Sequence, residues 1–288
     1  MGESASHPEQ LYARGRTRAL IRAEGREQVV EYGAAFAFLA TAVAMPLVFS
    51  SPRSLQAPEL VALVVAYVIA CRARFEIADG YTVPTELVLV PMLFLLPTPA
   101  VPLVVSLSWA VGRLVDHLTG TVSVTRAFHV FADCWHAIGP ALVIVACGVQ
   151  TFSWDDWPIY VVALGAQFAF DFAASAGRAW LIDGTPPPVV GKAIGPVYVL
   201  DAALAPIGLL ATAVALDLGP GICLAVLPLA AVLADLSRER QARVDKVLAL
   251  SEAYQGTAML LGDMVEADDA YTGSHSRAVV GLALAVSD

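Results

Sequence analysis

Long apolar segments, separated by short turns that contain Pro or Gly, constrain the fold of this chain more than any other feature. Several are shorter than the roughly 20 residues that an upright helix needs to cross a membrane, so we expect their ends to extend into the loops. Only 15% of the residues are charged, against about a quarter in soluble domains. The sequence therefore predicts an all-α, polytopic membrane helix bundle over residues 31–236. The eight segments are 32–50, 57–73, 85–98, 100–116, 127–149, 157–177, 194–216 and 220–236.

The positions of the Lys and Arg residues predict how these eight segments are oriented. With the amino terminus in the cytoplasm, sixteen of the seventeen Lys and Arg residues lie on the cytoplasmic side, and only Arg53 lies outside. Cytoplasmic loops carry such an excess of positive charge. We therefore expect an even number of spans in the inner or plasma membrane, with both termini cytoplasmic. No basic patch of the kind that binds a nucleic-acid polymer is present.

The composition changes on both sides of the apolar region. Residues 1–30 are polar and rich in Arg, which predicts a cytoplasmic segment that either contacts anionic headgroups or only fixes the topology. Residues 237–265 are dominated by helix-forming residues and predict a linker helix. Its apolar residues follow a heptad pattern, which favours a parallel coiled coil and a homodimer; the alternative is a single amphipathic helix that packs on its own output domain. One of the two seam positions of the heptad holds Val244, Ser251, Ala258 and Val265, and the other holds Val247, Tyr254 and Leu261.

The predicted fifth span carries three ionisable residues, which are costly inside a membrane and therefore candidates for a site. His129, Asp133 and His136 follow the spacing i, i+4, i+7, which places them on one face of a helix. They are predicted to line a polar pocket or to bind a proton or a metal ion. The alternative is that His129 and Asp133 lie near the cytoplasmic end and pair with Arg126.

Two further carboxylates lie within predicted spans. Asp171 and Asp201 belong to the sixth and seventh spans, and they are candidates for the same intramembrane polar site. Hydrogen bonding between helices, without a ligand, is the alternative role. Glu86 and Asp116 lie near the ends of their spans and are expected at the membrane interface.

The last residues, 266–288, differ from the rest because their polar side chains are clustered rather than dispersed. Four of them and a glycine lie within seven positions, and an apolar helical pattern follows from Val279. The glycine among them permits backbone angles that other residues resist. These features indicate a bend before a helix, with side chains suited to chemistry. The five are Asp269, Tyr271, Thr272, Gly273 and His275.

This segment resembles the opening of the HD-GYP family of phosphohydrolases, whose first helices carry a pattern close to Lys-Asp-x-Tyr-Thr-Gly-Gly-His-Ser. The resemblance covers roughly the last twenty residues. It implies that residues 266–288 begin an α-helical HD domain that hydrolyses cyclic di-GMP with divalent metal ions, such as iron or manganese, and that His275 is a metal ligand. Ser276 also matches the pattern, whereas Asp268, Ser274 and Ala278 replace the usual Lys, second Gly and common Arg.

The chain contains no His-Asp dipeptide, the pair for which the family is named. Because a single histidine cannot hold a binuclear metal centre, we expect only the first helices of the HD domain here, and no catalysis by this chain alone. The hypothesis is a membrane sensor and anchor module that regulates a cytoplasmic HD-GYP-type phosphodiesterase. A membrane transporter and a non-catalytic signalling scaffold are the alternatives.

Overall fold

The computed structural model describes residues 25–73, 75–77, 80–118, 128–268, 279–280 and 282–283. The regular secondary structure of these residues is helical, as predicted, apart from one antiparallel hairpin of two three-residue strands, β1 (Phe75–Ile77) and β2 (Gly80–Thr82). The α-helices are α1 (Arg26–Val48), α2 (Ala57–Ala70), α3 (Glu86–Leu95), α4 (Val101–Leu118), α5 (His129–Ala132), α6 (Ile138–Ala146), α7 (Trp157–Asp183), α8 (Pro187–Leu218) and α9 (Leu227–Asp268).

Three of the described helical stretches are long and apolar enough to cross a membrane. They are α1, the stretch Trp154–Asp183, which includes α7, and α8. Four shorter apolar helices accompany them, at Ala57–Ala70, Glu86–Leu95, Thr98–Leu114 and Cys134–Ala146. This arrangement is compatible with a membrane protein, but the described helices of full spanning length are fewer than the eight that the sequence predicts.

The predicted fifth span, 127–149, shows why the number is lower. Instead of one helix, the chain forms α5, a 3-10 helix at Cys134–Ala137, and then α6. Pro140 lies in the first turn of α6 and has no N–H, so it cannot donate to the carbonyl of His136 as a continuous helix requires. The predicted eighth span is divided similarly, since a 3-10 helix at Pro220–Val226 precedes α9. Apolar runs therefore mark the helical regions but not their interruptions.

The short helix α3 forms the centre of the bundle. Nine of its ten residues are buried, as expected for a helix that is apolar on all sides. Helices α2 and α8 pack against it. The closest approach of α8 is at Gly208, where a Cβ atom would lie 2.8 Å from both the carbonyl oxygen of Glu86 and the Cβ of Val90. Because residue 208 has no side chain, α8 covers the first turn of α3.

Arg53 closes the other end of α3. Its Nη1 lies 2.8 Å from the carbonyl oxygen of Leu93, 3.0 Å from that of Leu96 and 3.0 Å from Oγ1 of Thr98. Its Nε lies 3.1 Å from the carbonyl oxygen of Gln150. The last carbonyls of a helix have no partner within it, so Arg53 satisfies the end of α3 and ties it to two loops. Burial lowers the pKa of Arg53 from its usual value.

The described residues divide into two compact units, one extending through Ala234 and the other beginning at Asp235. Helix α9 is continuous over 42 residues and contains the whole of the predicted linker, 237–265. The predicted domain limits at residues 30, 236 and 265 stay predictions.

Candidate functional site

One face of α7 carries polar side chains. Gln167, Asp171 and Arg178 are separated by four and seven residues, so they share a helix face. Of these three, the sequence pointed only to Asp171. Each side chain finds its partner on another element, and these partners define two sites in the bundle.

The first site is a cavity of about 240 Å³ between α3, α6, α7 and α8. Glu86 and Gln167 line it and are only 2% and 4% exposed. The amide Nε2 of Gln167 donates a hydrogen bond to Oε1 of Glu86. The other lining residues are aliphatic, apart from Phe94, Trp157 and Tyr160, and no basic side chain of the described chain lies among them. We refer to this space, with Glu86 and Gln167, as the acidic cavity.

The two predicted carboxylates of α7 and α8 lie beside the acidic cavity. The hydroxyl of Tyr198 donates a hydrogen bond to Oδ2 of Asp171, at 2.8 Å, and its ring stacks on Phe168 at a centroid distance of 4.5 Å. Asp201 interacts electrostatically with both Asp171 and Glu86. Electrostatic interactions therefore link Asp171 to Asp201, and Asp201 to Glu86. Glu86 is buried because α8 packs on the first turn of α3. Its position at the membrane interface stays a prediction.

The second site is an ionic network centred on Arg178. Its Nη1 lies 3.0 Å from Oε2 of Glu31 on α1, and its Nη2 lies 2.8 Å from Oδ1 of Asp133 at the end of α5. The side chains of Arg178 and Glu31 are 15% and 12% exposed, and that of Asp133 is 49% exposed. One guanidinium on α7 therefore forms ion pairs with two carboxylates, one on α1 and one at the end of α5. We refer to these three residues as the Arg178 network.

The two histidines of the predicted fifth span flank the Arg178 network. Nδ1 of His136 lies 2.9 Å from the carbonyl oxygen of Asp133, and its Nε2 lies 3.3 Å from the hydroxyl of Tyr67. The ring of His129 meets Tyr32 edge to face, and its buried Nε2 has no hydrogen-bond partner among the described residues. Helix α5 ends at Ala132 and a 3-10 helix begins at Cys134, so His129, Asp133 and His136 do not lie on one continuous α-helix. Their position on a shared face stays a prediction.

The sequence predicts one intramembrane site, and the described contacts of its members fall in two groups. His129, Asp133 and His136 belong with the Arg178 network, whereas Asp171 and Asp201 belong with the acidic cavity. The sequence gives only weak signals for the partners of these residues. Arg178, for example, also fits a charge that only fixes the topology. The four-residue spacing of Gln167 and Asp171 on one apolar helix was the one local signal that could have found Gln167. The missed residues are Glu31, Tyr67, Glu86, Gln167, Arg178 and Tyr198.

Comparison of the chain with protein-family models, with curated proteins and with solved structures finds no match. His275 and the other residues that resemble the HD-GYP pattern, 269–276, lie outside the described residues. Among the described residues, no three His, Cys, Asp or Glu side chains form a group that could hold a metal ion. The assignment of His275 as a metal ligand stays a prediction.

Proposed function

We propose that this chain is a membrane sensor and anchor module that regulates a cytoplasmic, metal-dependent phosphodiesterase of the HD-GYP type, acting on cyclic di-GMP. The proposal depends on one observation, the position of the HD-GYP-like segment. Residues 269–276 follow directly after α9, the 42-residue helix that begins next to the apolar bundle. A helix of 42 residues extends about 63 Å at 1.5 Å per residue. It is long enough to carry a change in the bundle to a domain outside the membrane.

The topology that we propose has eight crossings and cytoplasmic termini. Three crossings are the helices of spanning length. In the others, a shorter apolar helix crosses together with the turns next to it, since non-helical backbone is tolerated at membrane depth where it is buried in protein. The charge distribution supports this orientation, since sixteen of the seventeen Lys and Arg residues fall on the proposed cytoplasmic side, where membrane proteins carry an excess of positive charge. The orientation places residues 266–288 in the compartment that contains cyclic dinucleotides.

We further propose that the linker helix pairs with the same helix of a second copy. The side chains of Val247, Tyr254 and Leu261, seven residues apart, are 66%, 69% and 58% exposed in the single chain. An exposed apolar seam at heptad spacing favours a parallel coiled coil. A signal in the bundle would then change the rotation or register of the two helices. Packing of this seam on its own output domain is the alternative.

The metal centre of the proposed enzyme cannot come from this chain alone. In an HD-GYP-type enzyme, bound metal ions activate a water molecule for attack on the phosphodiester. His275 offers one imidazole, whereas a binuclear centre needs several donors. The proposal therefore requires further ligands from residues that follow position 288 in the complete protein. A coding frame that continues into a His-Asp pair and a Gly-Tyr-Pro segment would support it, and a stop codon there would leave the signalling scaffold.

The test is hydrolysis of cyclic di-GMP by the complete protein in native membranes. His275→Ala is expected to abolish turnover, because it removes a metal ligand, and to leave membrane insertion unchanged. Ser274→Gly is the matched control, since it restores the family's usual residue next to His275 and is expected to retain turnover. Wild-type turnover in His275→Ala would remove His275 from the site. No turnover in the wild-type protein, with metal supplied, would contradict the phosphodiesterase.

A transporter is the second candidate, and one observation favours it. Asp201 interacts electrostatically with both Glu86 and Asp171 within the apolar bundle, and carboxylates at membrane depth are typical of ion and proton pathways. Uptake of a substrate into proteoliposomes that is lost in Asp171→Asn or Asp201→Asn would favour transport. Uptake that is absent, or that does not depend on either carboxylate, would exclude this role for them.

A further inference from the structure

The acidic cavity combines a buried carboxyl with walls that have no compensating positive charge. Glu86 interacts electrostatically with Asp201, and its hydrogen-bond donor, Gln167, is neutral. Arg53 lies at the opposite end of α3, where its guanidinium binds the carbonyl of Leu93. Seven residues of helix, about 10 Å, separate Leu93 from Glu86. Since an unpaired buried charge is costly, the ionised form of Glu86 needs a positively charged partner, and a cation bound in the cavity would supply it.

The walls of the acidic cavity indicate what kind of cation fits. Apart from Glu86 and Gln167 the lining is aliphatic or aromatic, and the rings of Phe94 and Tyr160 meet edge to face at 5.1 Å. A hard metal ion needs about six oxygen ligands, which these walls do not offer. Aromatic rings, in contrast, attract organic ammonium groups through their faces and pack against apolar groups. The chemistry of the walls therefore favours an organic cation over a metal ion.

The size and the position of the acidic cavity limit the ligand further. Its volume of about 240 Å³ is just below the range of about 300–1,000 Å³ of most small-molecule sites. Trp157 and Val161, which also line it, are exposed at the start of α7. A small molecule can therefore reach the cavity from the side of α7, between the aromatic residue at its start and the buried carboxyl.

We propose that the acidic cavity binds a small organic cation, whose ammonium group pairs with Glu86 and whose apolar body packs against Phe94, Trp157 and Tyr160. Gln167 orients the carboxylate by donating to one of its oxygens, and the second carboxylate, Asp201, strengthens the negative potential. This inference concerns the membrane bundle alone and does not depend on the phosphodiesterase.

The experiment measures equilibrium binding of radiolabelled 2-phenylethylamine, which is protonated at neutral pH, to the full chain in lipid nanodiscs. Nanodiscs without protein correct for partitioning into lipid. Saturable binding is expected, and the neutral isostere 2-phenylethanol is expected to compete poorly. Glu86→Gln is expected to weaken binding by roughly thirtyfold or more, as removal of one partner from a buried charge pair does. Glu239→Gln, on the exposed surface of α9, is expected to bind as the wild type does.

A second pair of variants separates binding from folding. Ala205 lines the acidic cavity and Ala203, on the same helix, does not. Ala205→Phe is expected to fill the cavity and block binding, whereas Ala203→Phe is expected to leave it unchanged. The proposal is overturned if the wild type shows no saturable binding, or if 2-phenylethanol competes as well as the amine does. It is also overturned if Ala205→Phe, or a folded Glu86→Gln, binds with the wild-type constant.

Discussion

At the scale of single residues, the partly buried ion pairs of Arg178 join elements that are far apart in the sequence. Arg178 pairs with Glu31, on a helix 147 positions earlier in the chain. In contrast, the exposed pair of Arg243 and Glu239 lies within one helix, four residues apart. An exposed pair is screened by water and contributes little, whereas loss of the buried guanidinium of Arg178 would leave two carboxylates uncompensated. The two pairs should therefore respond differently to the same change.

We predict that Arg178→Gln destabilises the protein and that Arg243→Gln does not. Breaking a buried ion pair by removing one partner costs about 3–5 kcal/mol, and the partial exposure of Asp133 reduces this to roughly 2–3 kcal/mol. The matched change at Arg243 should stay within about 0.5 kcal/mol. The measurement is the free energy of unfolding in detergent micelles. Equal effects of the two substitutions would show that the Arg178 network does not stabilise the bundle.

At the scale of elements, the contact between α3 and α8 decides where Glu86 lies. The two helices approach closely because residue 208 is a glycine, in contact with the backbone of Glu86. Small residues permit such close approach of helices in membranes. Gly165 on α7, in contrast, has open space where a Cβ would be. Both glycines have the same low helix propensity, but only Gly208 contacts another helix. A comparison of the two therefore distinguishes the effect of packing from that of propensity.

We predict that Gly208→Ala destabilises the bundle, whereas Gly165→Ala does not. The added methyl group would lie 2.8 Å from the carbonyl oxygen of Glu86, so α8 has to move, at a cost of about 1–3 kcal/mol. At Gly165 the same change should be neutral, or stabilising by up to about 1 kcal/mol. Thermal unfolding of both variants is the check. A neutral Gly208→Ala would mean that α3 and α8 are not in close contact.

The seam of α9 gives a prediction about the pairing of two copies. In a parallel coiled coil, Leu261 faces its counterpart, so Leu261→Cys is expected to form a disulfide-linked dimer under mild oxidation, whereas Ala249→Cys, on the outer face of the heptad, is not. The exposed native cysteine, Cys147, is first replaced by Ala. Non-reducing electrophoresis of membranes reports the product. Equal cross-linking at both positions, or at neither, contradicts a coiled coil in this register.

The helices could be predicted from the sequence because apolar runs and helix-forming residues act locally. The ion pair of Asp133 could not, since its partner, Arg178, lies 45 positions later in the chain. The burial of Glu86 was missed for the same reason, because it depends on Gly208 in a distant helix. The candidate site was therefore predicted in its ionisable members within the spans, Asp171 and Asp201 among them, but not in the partners that hold them.

At the scale of the whole molecule, the proposed topology makes Arg53 the one Lys or Arg residue outside. Its guanidinium is bound to two carbonyl oxygens and one hydroxyl at and just after the end of α3, and to the carbonyl oxygen of Gln150. It therefore has a structural role that accounts for its position. Because Arg53 is needed for packing on the outer side, its position there is consistent with an orientation that the other sixteen Lys and Arg residues set.

Reporter fusions test this topology directly. We predict that alkaline phosphatase, which is active only outside the cytoplasm, is active when fused after Arg53 and inactive after Arg178 or Asp288. A fluorescent protein that matures only in the cytoplasm should give the opposite pattern. The pattern follows because each of the two later positions is separated from Arg53 by an odd number of the proposed crossings. If the fusion after Asp288 reported from outside, His275 would lie in the wrong compartment for cyclic di-GMP, and the coupling of this bundle to an intracellular phosphodiesterase would be excluded.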